Sequence, residues 1–262
     1  MPLDTEAEFA FLAALAAAAG GVILPHFRTA LAVENKAAAG HYDPVTVADR
    51  AAEVEIRRLI AERYPEDGLI GEEFGAERAD AGRQWIIDPI DGTRSFVTGI
   101  PLWGTLIGRV DDGRPAVGMM AQPYIGEIFL GDGRRAEMRR GGTTSPLATR
   151  PAASLAEARV MTTSPAMFEG ADRAAWERMV AAARLTRYGG DCYAYCMVAA
   201  GLVDVVFEAG LQAYDIAPLI PIIEGAGGAV ATWDGGPPKD GGRIVAAADR
   251  RLLDAAIALL AG

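Results

Sequence analysis

The chain has 262 residues, 51% of them hydrophobic and 23% charged, the balance of a soluble globular protein rather than a disordered or fibrous one, and long enough for one thick domain or two lobes around a large core. Its net charge of −10 repels nucleic acid and anionic membrane surfaces, and no basic cluster longer than Arg134-Arg135 or Arg139-Arg140 offsets it. An acidic site that faces an anionic ligand needs cations between the two, so the charge points towards metal.

The apolar run from Phe9 to Leu24 follows Asp4, Glu6 and Glu8, the wrong sign for a secretory leader, and Gly20-Gly21 and Pro25 interrupt it. It is expected to form an Ala-rich core helix, and no other stretch is expected to span a bilayer. A helix is predicted over about 48–63, with Val54, Ile56, Leu59 and Ile60 on one face and Pro65 as its stop. Leu69-Ile70 and Trp85-Ile86-Ile87 read as buried strands that each end in carboxylates, Glu72-Glu73 and Asp88. From Gly104 to Leu130, strands punctuated at Asp111-Asp112-Gly113 and Tyr124-Ile125-Gly126 suggest an antiparallel meander.

The Gly/Thr/Pro-rich stretch 141–151 is the best boundary, dividing an N-terminal α+β lobe (1–145) from a C-terminal α/β lobe (146–262). In the second lobe a strand is predicted at 159–163, helices at 171–183 and 192–201, a strand at 203–208 and a helix at 215–225. Strands at 229–232 and 244–247 and a helix at 250–260 complete an α/β alternation. The only cysteines, Cys192 and Cys196, lie one helical turn apart in an apolar stretch. They read as core residues without a disulfide framework, which fits a reducing, cytoplasmic setting.

The chemistry concentrates in Asp88-Pro89-Ile90-Asp91-Gly92-Thr93, where a strand enters a tight turn able to aim two carboxylates at one point. Two hard anions call for a hard cation. Oxygen ligands without accompanying His or Cys favour Mg²⁺ or Mn²⁺ over zinc, and His26 and His41 are too few for a three-histidine zinc site. If Gly92 and Thr93 open a helix, their N–H groups and the Thr hydroxyl face the same point, a ready seat for phosphate. The alternative for this segment alone is an Asx turn that caps a helix.

Gly71-Glu72-Glu73, Trp85 through Thr93, Tyr214-Asp215-Ile216-Ala217 and Glu224-Gly225-Ala226-Gly227-Gly228 resemble, in order, the signature segments of the inositol monophosphatase family. Through Thr93-Arg94-Ser95-Phe96, 101–107 and 217–224 the chain is most similar to the histidinol-phosphate phosphatase branch. The fold expected with this resemblance is a mixed α/β, layered α-β-α-β-α sandwich. The resemblance implies that Glu72, Asp88 and the Ile90 carbonyl hold one Mg²⁺ while Asp88, Asp91 and Asp215 hold a second, with a third ion near Glu72 in some members. It assigns Thr93 and Asp43 to activation of the attacking water. Asp43 departs from the histidinol-phosphate branch, which often has Thr or Ser before Pro-Val-Thr, and looks like the inositol-phosphate branch. Thr46 and Asp49 read as a helix cap with its first-turn acid, and Glu73 as a neighbour pointing away from the ligands. Asp215 reads as a helix N-cap or a metal ligand, and the motif around it favours the metal.

Glu208 matches the family position that touches the non-phosphate part of the substrate, and Asp191 lies on a segment lining the same pocket. Together with Gly92 and Thr93 they make up the expected substrate site, and Arg94 is a further pocket candidate. Two acids suit the ammonium and imidazole of L-histidinol phosphate, although either could instead cap a helix or lie on the surface. The expected activity is Mg²⁺-dependent hydrolysis of L-histidinol phosphate to L-histidinol and phosphate. The alternative is an inositol-1-phosphate or broad sugar-phosphate phosphatase. A catalytically silent binding protein would have lost one of Glu72, Asp88, Asp91, Thr93 or Asp215, and all five are present. The expected partners are a small phosphorylated metabolite and, from the resemblance, a second copy in a homodimer.

Overall fold

A computed structural model describes residues 4–30, 33–35, 44–150 and 153–261. Helix α1 (Thr5–Ile23) begins where Asp4 accepts the Ala7 N–H at 3.3 Å and buries Phe9, Leu12, Leu15, Ala19 and Ile23. It is long and apolar enough to cross a membrane by length and composition, and half of that run is buried inside the fold. Strands β1 (Val33–Asn35) and β2 (Pro44–Thr46) pair antiparallel. Helix α2 (Val47–Arg63) starts with the expected reciprocal cap: Asp49 accepts the Thr46 N–H at 2.8 Å, and the Thr46 hydroxyl accepts the Ala48 N–H at 3.1 Å. Ile56 and Ile60 are buried, but Val54 is 54% exposed, because residues two apart on a helix face different ways.

The larger sheet comprises β3 (Gly68–Gly71), β4 (Gly75–Glu77), β5 (Arg83–Asp91), β6 (Gly104–Asp111), β7 (Arg114–Gln122), β8 (Glu127–Gly131), β9 (Ala136–Arg140) and β10 (Thr143–Pro146), in the order β10-β9-β8-β7-β6-β5-β3-β4. Only β3 and β5 pair in parallel. The meander runs two strands beyond Leu130, because Asp132 accepts the N–H groups of Arg134 and Arg135 and turns the chain back. Helix α3 (Thr93–Val97) follows β5.

The second sheet holds β11 (Arg159–Thr162), β12 (Leu185–Tyr188), β13 (Val205–Leu211), β14 (Ala229–Thr232) and β15 (Gly242–Ala247), in the order β12-β11-β13-β15-β14. Edge strand β12 was not legible in the sequence because its residues lie mostly at the surface and alternate too weakly. Five helices accompany this sheet: α4 (Gly170–Ala182), α5 (Asp191–Ala199), α6 (Ala213–Ile216), α7 (Ile220–Gly225) and α8 (Arg250–Ala261). The helix predicted over 215–225 is therefore two, since Pro218 has no N–H to give and its ring clashes with the preceding turn.

The layers are α1 and α2, the larger sheet, the central helices α5 to α7, the smaller sheet, and α4 with α8. One apolar cluster lies between α1/α2 and the larger sheet, a second around the central helices, and a third between the smaller sheet and the outer helices. This is the layered α-β-α-β-α sandwich expected. The segment from Pro218 to Ile222 reaches the larger sheet only because Gly108, Gly118 and Gly131 are bare: a Cβ at Gly108 would lie 2.8 Å from Pro218 Cα, and one at Gly118 would overlap the Pro218 carbonyl.

Candidate active site

Pro89 cannot donate to the ladder, and the β5–β6 register slips between Asp88 and Asp91. The irregularity brings both carboxylates to the C-terminal end of β5. Asp88 is buried and its Oδ1 accepts the Ile90 N–H at 3.0 Å. Asp91 Oδ2 accepts the Cys192 N–H at 2.6 Å, which ties the turn to the start of α5. Asp215 arrives from the second half of the chain. It does not cap its helix from the N-cap position; it sits within α6 in a capping box with Gln212, whose N–H it accepts at 2.7 Å. One oxygen from each of Asp88, Asp91 and Asp215 lies within 4.8 Å of the others. Glu72 follows β3, its N–H donating to the Ile87 carbonyl at 3.1 Å, and lines the same cleft of about 340 Å³.

Burial pushes the Asp88 carboxyl well above its ordinary range, and the charges of Glu72, Asp91 and Asp215 push it further. Burial likewise raises Asp91, reinforced by Asp191 and Asp215. Packing like charges this closely is unfavourable unless a cation joins them. The donors fit Mg²⁺ or Mn²⁺: among the described residues the group that could hold an ion is made of carboxylates alone, Asp88, Asp91 and Asp215. The Ile90 carbonyl accepts the Thr93 hydroxyl at 3.0 Å, and a carbonyl oxygen has a second lone pair for a cation. Gly92 takes a left-handed φ of 80° as N-cap of α3, so the helix does begin at Thr93. Asp43 lies outside the described residues.

Asp191 opens α5 with φ 44°, after Gly189 at 76° and Gly190 at 136°. A non-glycine residue held there stores about 1–3 kcal/mol of strain, and such strain is typical of functional sites. Its carboxylate packs over Gly92, where a Cβ would lie 3.0 Å from Asp191 Cγ, and accepts the Ser95 hydroxyl at 3.1 Å. Glu208 lies deeper, on the wall of a side cavity of about 140 Å³ that Asp191 and Asp91 also line. It accepts the Thr163 N–H at 2.8 Å and the Tyr195 hydroxyl at 3.1 Å. The structure thus brings every described site residue expected from the sequence to one cleft or its side cavity. It adds Thr163, Gln212 and Tyr214 to the cleft wall and Ser95 behind Asp191. Of these, Tyr214 and Ser95 stand within the segments that carry the family resemblance, and Gln212 has the Gln-x-x-Asp spacing of a capping box.

Burial raises Glu208 from the ordinary 4.5 to about 7. In metal-free protein its contribution to stability is therefore present below about pH 4.5 and lost as the pH rises through about 7. Glu208→Gln is expected to flatten the fall in urea midpoint between about pH 4.5 and about pH 7. An unchanged slope would show that Glu208 ionises normally.

Carboxylates from two strand ends and a helix, gathered in one cleft beside the turn that opens α3, fit a phosphatase that works with metal ions. The chain belongs to the inositol monophosphatase family, whose model matches residues 4–261. It is similar to the chloroplastic bifunctional phosphatase IMPL2 of Arabidopsis thaliana, with 39% identity covering 85% of this chain and 63% of that protein's length. It is 37% identical to a histidinol-phosphatase of Mycobacterium tuberculosis, over 78% of this chain and 79% of the relative. In structure it resembles an inositol monophosphatase from Zymomonas mobilis, with a TM-score of 0.87 and 37% identity over 99% of this chain and 100% of that one.

Proposed function

We propose that the protein hydrolyses L-histidinol phosphate to L-histidinol and phosphate with Mg²⁺. The observation that carries the hydrolytic part is the meeting of Asp88, Asp91 and Asp215 oxygens within 4.8 Å. In this reading Glu72, Asp88 and the Ile90 carbonyl hold one cation and Asp88, Asp91 and Asp215 a second. Bound divalent cations neutralise the phosphate and stabilise the attacking and leaving oxygens. The N–H groups of Gly92 and Thr93 face the phosphate. The Thr93 hydroxyl donates a hydrogen bond to the Ile90 carbonyl at 3.0 Å, so its oxygen keeps lone pairs that accept a hydrogen bond from the attacking water and orient it.

The substrate follows from the acids that the hydrolytic cluster does not use. Asp191 is held at the cleft wall by Ser95, and Glu208 backs the adjoining cavity. A cationic leaving group gains charge-assisted hydrogen bonds from this pair, whereas a neutral polyol gains less. The similarity to a histidinol-phosphatase supports the same substrate. The likeness to the Zymomonas enzyme supports the second reading, inositol 1-phosphate on the same cluster.

Phosphate release from L-histidinol phosphate and myo-inositol 1-phosphate, each with Mg²⁺ and with EDTA, separates the two. We expect a Mg²⁺-dependent preference for histidinol phosphate, and Asp191→Asn should narrow that preference about tenfold or more, the worth of a hydrogen bond between charged groups. Equal rates on both substrates would sink the assignment to histidinol phosphate.

A further inference from the structure

The hydrolytic site takes Glu72 from a short turn between β3 and β4, and nothing in that turn's own sequence fixes how it points. What holds it comes from α2. Glu53 is fully buried, and its Oε2 accepts the Glu73 N–H at 2.7 Å while Oε1 accepts the Phe74 N–H at 3.3 Å. Arg57, one helical turn on, donates to the same Oε1 at 2.7 Å, then to Glu77 at 3.0 Å and to the Gly75 carbonyl. The pair therefore grips the turn through its N–H groups on one side and a carbonyl on the other. On the far side the Glu72 N–H is taken by the Ile87 carbonyl at 3.1 Å.

The contact is so close that residue 71 has to be glycine: a Cβ there would overlap Glu53 Oε1, with Arg57 Nη2 2.9 Å away. A buried carboxylate normally needs a compelling partner. This one has two backbone N–H donors, neither of them in the hydrolytic cleft, and the Arg57 guanidinium, which also neutralises it. Glu53 thus adds no uncompensated charge to compete for a cation. A neutral, fully bonded ion pair spent on a turn of three residues has one evident beneficiary, the Glu72 side chain between the gripped peptides.

We propose that Glu53, braced by Arg57, is a positioning residue that fixes the Glu72–Phe74 turn so that Glu72 is presented to a divalent cation. This rests on the reading of Glu72 as a cation ligand, and the test separates the two. Calorimetric titration of the full chain with Mn²⁺ is made on wild type, Glu53→Gln, Glu72→Gln and the double variant, with thermal unfolding as a check of folding. A glutamine at 53 has a single acceptor oxygen and cannot take both N–H groups while pairing with Arg57. Glu53→Gln is expected to weaken Mn²⁺ binding about ten- to a hundredfold, the usual effect of removing a group that orients a ligand. It should weaken binding little further once Glu72 is already glutamine, because its effect passes through that side chain.

Mn²⁺ binding by Glu53→Gln equal to wild type would overturn the proposal, and so would an equal loss in both backgrounds, which is what a general structural role produces. If Glu72→Gln binds as wild type while Glu53→Gln does not, the ligand assignment fails and Glu53 acts elsewhere. Should Glu53→Gln not fold, Glu53→Asp keeps the charge opposite Arg57 but is one methylene too short to reach both N–H groups, and the same cycle is run with it.

Discussion

Asp88→Asn is expected to lower Mg²⁺-dependent phosphate release by at least about a thousandfold while raising the thermal midpoint of the metal-free protein. The two effects share one cause. Asp88 is buried, and Glu72, Asp91 and Asp215 add their charges to its environment. Because its folded pKa is raised, what it contributes to stability is present below the ordinary carboxylate range and lost as the pH rises through the folded value. At neutral pH without metal, keeping this carboxyl buried among like charges, whether protonated or ionised, is a burden on the fold. Asparagine has nearly the same shape, still accepts the Ile90 N–H, and carries no charge. On the proposed reading Asp88 would be a cation ligand and the neutral asparagine a poorer one, so Mg²⁺ should raise the melting temperature of wild type far more than that of the variant. Differential scanning fluorimetry with and without Mg²⁺ reads this directly. A metal-free variant that melts below wild type would mean that the cluster is stabilised by contacts other than a cation.

Gly118→Ala is expected to destabilise the protein by about 3 kcal/mol or more and to weaken Mg²⁺ binding, although the residue lies outside the cleft. A methyl at 118 meets the Pro218 carbonyl, carbon and Cα, all of them backbone atoms, so no side-chain rotation relieves it. Relief comes only by lifting the segment that follows α6, and α6 carries Asp215. The substitution Gly21→Ala provides the contrast. Nothing lies within 4 Å of a Cβ there, and the residue is within α1, so alanine should stabilise by about 0.5–1 kcal/mol through helix propensity. Urea unfolding of the two variants beside wild type decides the matter. A Gly118→Ala midpoint close to that of wild type would show that the layers slide more freely than their packing implies.

Much of the site could be read in the sequence because its strongest signals are local. The Asp-Pro-Ile-Asp-Gly-Thr run combines a strand end, a proline that breaks the ladder and a glycine that turns the chain, and each acts on its neighbours whatever the rest of the fold does. The capping box of Thr46 and Asp49 is local in the same sense. The period of apolar residues likewise marked the core strands Trp85–Ile87 and 244–247 and the helices at both ends.

Other features depend on contacts between distant parts of the chain. That Asp215 joins Asp88 and Asp91 follows from glycines on three neighbouring strands admitting the Pro218–Ile222 segment. Ser95 meets Asp191 across 96 positions of sequence and Glu53 reaches Glu73 across 20; neither pair has a spacing that local geometry could reveal. The break in the predicted 215–225 helix and the exposure of Val54 were decided locally, by a proline and by helical rotation, and were open to a stricter reading. The sequence by itself determined which residues can hold a cation and most of the elements that carry them, because propensity, turns and caps act within a few residues. Which acids converge, and which buried groups hold them in place, was decided only by the tertiary structure, since layer packing and charge burial depend on distances that no local pattern records.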